Sequence, residues 1–348
     1  MRIAHVMLAK KFGGAERSFV DIVRALARRG HSVLAIGDPR GQALTILAGE
    51  PGVDCVTVRC FGSWDRIAEY NIRREFVRFA PAVVHTHLAR AALLGGRAAQ
   101  ALGIPTLAKT HNLVNLKYYQ HTDCLVPTTR VQEAYLLQRG TARESITRIP
   151  NFSLLEPVDD VPQRGPPPYR IAALGRFVQK KGFDVLIAAC ARLVDGGCDV
   201  TLDLAGEGPE RGTLERAIEQ HGLATRVRLH GWVDDVKQFL SGADLFVLPS
   251  RDEPFGIVLL EAMACGIPIV ATRTAGPNEV LGEDCALLTA VDDADALAAA
   301  MRATIVDPDA QIRAERALAR YRKSYSAEPV VGQYLDLYAR LALNPDRA

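Results

Sequence analysis

The pattern that most limits how this chain can fold is an alternation, run through twice, of short β-branched segments with longer helix-periodic ones. Ile3–Leu8, Val33–Ile36, Val83–Thr86, Thr106–Ala108, Cys124–Val126 and Ile146–Ile149 are predicted strands. Between the first two, Phe19, Ile22, Val23, Leu26 and Ala27 share one helical face, and Gly30 ends the helix. The second run places strands at Arg170–Leu174, Val200–Ala205, Val227–His230, Leu245–Leu248 and Ile267–Ala271. Strands that alternate with helices build parallel sheets covered on both faces. Between the runs, Glu156 to Pro168 holds five prolines and one glycine, a composition that forbids regular structure and makes a semi-rigid linker. The fold class expected is α/β: two doubly wound domains, residues 1–160 and 165–325, facing a cleft at the carboxyl ends of their strands. After a helix near Asp309–Arg322, Val330, Tyr334, Leu337, Tyr338 and Leu341 recur at helical spacing. That last helix either finishes the second domain or braces the first.

Length and composition fit this reading. The 348 residues suffice for two cores, and 48% hydrophobic with 24% charged residues is ordinary globular usage. No run approaches 18 uninterrupted apolar residues, and the N-terminal Met1–Lys10 has too short an apolar core for a secretory signal. The seven scattered cysteines form no C-x-x-C pair, which suggests reduced thiols, a cytoplasmic location and no structural zinc. The net charge of +2 hides an asymmetry: residues 1–150 carry 21 Lys/Arg against 11 Asp/Glu, and residues 151–348 carry 21 against 29. The first half, at +10, would attract an anionic surface or acceptor; the second, at −8, would not. Arg66, Arg73, Arg74 and Arg78 mingle with Trp64, Ile67, Tyr70, Ile72, Phe76 and Val77. This stretch reads either as an ordinary surface helix or as one lying on an anionic membrane. Nucleic acid is disfavoured, because no basic strip with interleaved aromatics covers either half.

The residues that carry chemistry gather at predicted strand ends. Glu253 and Glu261 are separated by seven residues, and Glu261 is the one charge between Pro254 and Pro268. A carboxylate in so apolar a helix is costly unless something uses it. Pro254 and Gly256 make a natural helix entry, whose free N–H groups can meet an anion or a sugar hydroxyl. In the first half, Gly13 and Gly14 join strand to helix and let the backbone approach a ligand. In the second, Arg176 and Lys181 leave the first strand and are placed to clamp a diphosphate, Arg176 by a forked bond and Lys181 as a point charge. Gly206 sits in another glycine-rich strand end, Ala205-Gly206-Glu207-Gly208, and His230-Gly231-Trp232 could border a base. His85 and His87 face one side of a strand end, where metal binding is conceivable but no carboxylate or cysteine motif supports it. His111 ends the next strand, where a polar contact to substrate is the better reading. Neither half has the Walker lysine arrangement.

In order and spacing, Gly13-Gly14-Ala15-Glu16, Thr110-His111, Ile149-Pro150-Asn151, Gly175-Arg176 with Lys181-Gly182, Ala205-Gly206-Glu207-Gly208 and the Glu253–Glu261 pair resemble a known family. It is family 4 of the retaining, nucleotide-sugar-dependent glycosyltransferases, which has the two-domain Rossmann-like architecture called GT-B. The resemblance spans nearly the whole chain. It implies that Arg176 and Lys181 hold the donor diphosphate, helped by the Gly14 backbone. Glu261 would take the ribose hydroxyls, and Glu253 the hydroxyls of the transferred sugar beside the backbone amides of Phe255, Gly256 and Ile257. His111 would contact that sugar near the reacting carbon, so His111 and Glu253 are the catalytic candidates. It also implies no cofactor and no metal, a nucleotide-sugar co-substrate with a UDP-sugar favoured, and retention by a same-face, oxocarbenium-like route. The family's tail crosses back to the first domain. One departure stands out: where the family often has Gly-Gly-x-x-Glu, this chain has Thr274-Ala275-Gly276-Pro277-Asn278-Glu279.

The expected function is transfer of a sugar to a glycan or glycolipid acceptor in bacterial lipopolysaccharide or surface polysaccharide synthesis. The protein would be cytoplasmic and peripheral on the inner face of the membrane. Two alternatives share the architecture: a nucleotide-sugar epimerase or hydrolase, and a non-catalytic sugar-nucleotide-binding protein.

Overall fold

A computed structural model describes residues 1–343. Six parallel strands make the first sheet: β1 (Arg2–Met7), β2 (Ser32–Gly37), β3 (Val53–Thr57), β4 (Val83–His87), β5 (Thr106–Lys109) and β6 (Cys124–Val126). Their order is β3-β2-β1-β4-β5-β6. The second sheet holds β7 (Tyr169–Leu174), β8 (Val200–Ala205), β9 (Val227–His230), β10 (Leu245–Leu248), β11 (Ile269–Thr272) and β12 (Leu287–Thr289), in the order β12-β11-β10-β7-β8-β9. Counted from its own first strand, each sheet has the doubly wound order 3-2-1-4-5-6. The order reverses between β1 and β4 in one sheet and between β7 and β10 in the other, which fixes where each opens a binding crevice.

Two strands escaped the sequence reading, and both are edges. β3 alternates Val53 and Val56 with Asp54, Cys55 and Thr57, most of them exposed, and β12 is only three residues long. An edge strand needs no continuous apolar run, so it leaves a faint signal. Ile146–Ile149 is no strand. Thr147 N and Ile149 N donate to the carbonyls of Leu125 and Pro127 (3.0 and 3.1 Å). Pro127 has no N–H to return the ladder, and only an isolated bridge at Ile146 remains.

The chain divides into one unit of Met1–Leu154 with the segment from Ala327 onward, and a second of Leu155–Ser326. The helix Ala327–Ala342 belongs to the first. Val330, Tyr334, Leu337 and Tyr338 are buried in one core with Ile3, Phe19 and Val33. The proline-rich segment is strapped to the second unit rather than free: Val158 N donates to Ala264 O (2.9 Å), and Val161 packs on Ala314 and Leu318.

Candidate functional site

In the second unit the chemistry gathers where the strand order reverses. Lys181 follows β7 in a short 3-10 turn, Gln179–Lys181, and its stem lies beside Gly175. Glu253 follows β10. The Lys181 ammonium and the Glu253 carboxylate form an ion pair, with side chains only 15% and 10% exposed. Ser250 Oγ, fully buried, stands 3.4 Å from the same carboxylate. At Gly182 φ is +65°, and an added Cβ would lie 2.2 Å from the Pro249 carbonyl oxygen. Only glycine lets the Lys181 turn close onto the segment that carries Glu253. Gly206, after β8, has φ +145° and would put a Cβ 1.9 Å from the Gly175 carbonyl oxygen, so the loops after β7 and β8 run in contact.

Arg251 went unassigned in the sequence, though it sits two residues before Glu253. It fixes this geometry from behind: its guanidinium donates to Asp184 (2.7 and 2.8 Å) and to Gln179 O (2.7 Å), while its backbone N–H donates to Lys180 O (2.8 Å). Nothing in its spacing marked it, because its side-chain partners Asp292, Asp184 and Gln179 lie 41 to 72 positions away.

The helix after Glu253 runs Ile257–Ala264, with Gly256 at its cap in a left-handed conformation (φ +86°). Glu261 is buried on it at 4% exposure. The Phe255 side chain is core, edge-on to Tyr325, so only its backbone can face a ligand. Arg176 is exposed on the loop after β7. The altered loop is a short helix, Ala275–Val280, and Gly276 N donates to Glu253 O (2.8 Å). A Cβ at Gly276 would fall 2.3 Å from the Phe255 carbonyl oxygen, which ties this segment to the glutamate. His230 Nε2 lies 2.7 Å from an Asp203 carboxylate oxygen, and Trp232 is exposed.

The first unit presents a different environment. Gly13 caps the helix Gly14–Arg28 in extended backbone. A Cβ at Gly14 would meet nothing within 4 Å, and one at Gly13 would only touch Glu16 at 3.4 Å. The unit itself therefore imposes no need for glycine at either position. His111 adopts φ +59°, and Asn112 N donates to Thr110 O (2.7 Å) across it. This is the rarer, strained form of γ-turn, the kind of backbone outlier that concentrates at functional positions. Gln132 braces it by donating to His111 O (3.3 Å).

Behind His111 lies a buried imidazole cluster that the sequence reading saw only in part. His5 on β1 stands in register with His85 on β4. His87 Nδ1 lies 3.4 Å from His111 Nε2, and His87 Nε2 lies 3.2 Å from His5 Nδ1. His85 Nδ1 is 2.7 Å from the Tyr338 hydroxyl. Burial, reinforced by the charge of Lys109, pushes His5 down to about 3 and holds His85, His87 and His111 well below the usual histidine value. All four are neutral at physiological pH. Burial also drives Lys109 down to about 7, against the opposing charge of Asp21. Its ammonium donates to Ser18 Oγ (2.9 Å), which donates to Asn151 (3.0 Å). One nitrogen each of His5, His85 and His87 lie within 4.8 Å of one another. The His85 and His87 rings, however, are stacked nearly parallel at 4.3 Å and 17°. Parallel rings aim their lone pairs side by side rather than at one centre, and Lys109 adds a repelling charge.

On the basic stretch, the helix Arg66–Phe79 turns Ala68, Ile72, Phe76 and Phe79 inward, so Ile72 and Phe76 are core. Trp64, Ile67, Tyr70 and Val77 remain 63–77% exposed, as does Phe61. Arg59, Arg66, Arg73, Arg74 and Arg78 are exposed among them. Among the described residues, no helix is long and apolar enough to cross a membrane.

Known proteins match this chain along its length. A family model described as Glycosyltransferase Family 4 matches residues 12–152, and one described as Glycosyl transferases group 1 matches residues 168–307. The lipopolysaccharide core biosynthesis glycosyltransferase LpsE of Rhizobium meliloti is 34% identical over 97% of this chain and 99% of its own. LpsD of the same organism is 31% identical over 98% of each. Among solved structures, Anabaena HepE in complex with UDP and glucose superposes with a TM-score of 0.81 at 21% identity, over 98% of this chain and 100% of the other.

Proposed function

Because the chain belongs to the group 1, family 4 glycosyltransferases, with their two-domain GT-B fold, we propose that it moves a hexose from a UDP-sugar onto a lipopolysaccharide-core acceptor, with retention. The observation that carries the site assignment is the buried Lys181–Glu253 pair at the reversal point of the second sheet. There Lys181 and Arg176 take the donor diphosphate, Glu261 the ribose hydroxyls, and Glu253 the hydroxyls of the sugar. His111 is assigned to the sugar near its reacting carbon, and Gly13 and Gly14 leave backbone free for a phosphate. As the glycosidic bond breaks, charge grows on the leaving diphosphate. Two cations and the helix start at Gly256–Ile257 would stabilise that charge, and in this reading transfer proceeds without a resident metal. The acceptor class rests on the near-full-length likeness to the two Rhizobium core transferases.

A thermal-shift screen of UDP-, GDP- and ADP-sugars, followed by a transfer assay in excess chelator, tests the donor. A ligand at about 100 times its Kd stabilises the native state by about 2.7 kcal/mol. UDP-sugars alone are expected to raise the midpoint and support transfer. A shift with only GDP- or ADP-sugars, or free sugar as the main product, defeats the proposal.

The exposed stretch from Arg59 to Arg78 is assigned to the anionic inner face of the membrane, peripherally. Cations interleaved with outward Trp64, Ile67 and Tyr70 match the make-up of interfacial helices. Binding to vesicles containing anionic lipid is expected to weaken with salt. Serine at Trp64, Ile67 and Tyr70 together is expected to lower it about tenfold, in line with the loss of buried apolar area. Absence of binding at low salt, or full binding by the triple variant, removes the assignment.

A further inference from the structure

We propose that His87 and His5 are positioning residues that hold His111 in a single tautomer, with its hydrogen on Nδ1. The inference rests on the assignment of His111 to the sugar. Three imidazoles form one line of contacts: His5 Nδ1 to His87 Nε2 at 3.2 Å, then His87 Nδ1 to His111 Nε2 at 3.4 Å. Each neutral ring has one N–H and one bare nitrogen, so the two contacts are satisfied only if all three hydrogens point the same way along the line. Two arrangements exist. In one, His5 donates to His87 and His87 donates to His111, which leaves the His111 hydrogen on Nδ1. In the other every hydrogen is reversed, and His111 Nδ1 is a bare acceptor.

The buried end of the line decides between them. Among the described residues, His5 Nε2 is buried and has no hydrogen-bond partner. In the first arrangement that orphan is a bare nitrogen, and in the second it is an N–H. Orphaned buried N–H groups are the rarer and more costly kind. His85 lies off the line, since its Nδ1 meets Tyr338 instead. Phe19 packs edge-on against His87 at 5.2 Å and keeps its ring from turning. The selected tautomer makes His111 a hydrogen-bond donor to an oxygen of the sugar. A positive-φ γ-turn braced by Gln132 holds the ring where the line can reach it.

The test is direct. In protein carrying 15N-histidine, long-range proton–nitrogen correlation at pH 7.5 reads each ring's tautomer without any need for activity. His111 is expected to be protonated at Nδ1 and bare at Nε2, and His5→Phe is expected to turn it into a tautomer mixture. His85→Phe, which removes an imidazole off the line, is expected to leave His111 unchanged. A wild-type His111 protonated at Nε2, or one indifferent to His5→Phe, overturns the proposal. In transfer assays, His87→Leu is expected to lower kcat about tenfold with the donor KM moving less than twofold. His87→Asn, which keeps an N–H at the Nδ1 position, is expected to restore most of the loss. Equal losses in the two variants count against the line. Should His111→Ala leave transfer intact, the sugar assignment fails instead, while the spectra still report on the tautomer.

Discussion

Replacing Lys181 by methionine is expected to lower kcat/KM for sugar transfer about 10²- to 10³-fold, the usual loss when one preorganised charge is removed from a developing anion. The ion pair with Glu253 complicates that experiment in an informative way. Both side chains are largely buried, so removal of one partner strands the other's charge, which costs about 3–5 kcal/mol. Lys181→Met and Glu253→Leu should therefore each lower the melting temperature. The double variant should recover much of that stability, because an apolar pair of similar volume often substitutes for a buried ion pair at little cost. Activity should follow the opposite rule. If Lys181 serves the diphosphate and Glu253 the sugar, all three variants stay at least 100-fold impaired, on the order of magnitude expected for such contacts. Recovery of transfer in the double variant would make the pair a structural element and return the catalytic burden to Arg176 and His111. Ser250 adds a hydroxyl to the same carboxylate, and Arg251 fixes the turn that carries Lys181. The geometry is thus held before any donor arrives.

Acidification from pH 7.5 to 5.5 is expected to unfold the first unit far more readily than pH changes on the alkaline side. His5, His85, His87 and His111 are neutral when folded and held well below 6.5, chiefly by burial. In the unfolded chain they protonate near 6.5, so below that pH the unfolded state binds more protons. Stability present above pH 6.5 is then lost by up to about 1.4 kcal/mol per pH unit for each group, until the folded value is reached, about 3 for His5. Asp21 works against this. Burial raises it from 3.8 to about 6, so its native state binds the extra proton and gains stability as pH falls from about 6 towards 3.8. Four buried groups against one leave a net loss, to which His31 and His121, also lowered chiefly by burial, add in the same direction. Lys109, lowered from 10.5 to about 7, has its full cost in place below pH 7 and adds nothing to the acid slope; it raises stability only between about 7 and 10.5. For a unit of this size, several kcal/mol corresponds to a fall of roughly 10 °C in Tm. Calorimetry, with hydrogen exchange at β1 and β4 to localise the transition, checks it. His85→Phe should reduce the acid slope by about a quarter. A Tm that stays flat to pH 5.5 would show that the cluster is hydrated rather than dry.

The legible parts of this protein were those written locally. Interior strands such as Val33–Ile36 and Leu245–Leu248 are continuous apolar runs because neighbours cover both faces. The glutamate pair declared itself because Glu261 is an isolated charge in an apolar helix. Edge strands β3 and β12 went unread, since half their backbone faces no partner and their side chains need not be apolar. Ile146–Ile149 looked like a strand, and Pro127 on the facing segment, which cannot donate, settled otherwise.

By itself, then, the sequence determined the double α/β repeat, the strand-end glycines, and which carboxylates and cations had to be explained, because periodicity, turn chemistry and burial cost are set by near neighbours along the chain. Tertiary structure alone decided who meets whom. It paired Lys181 with Glu253 across 72 positions, set Arg251 behind them, and brought the last helix into the first core with Tyr338 on His85. It also aligned His5, His87 and His111 from three separate segments into one buried line. Parallel sheets make such juxtapositions by joining strands that are distant in sequence, so no local pattern can announce them.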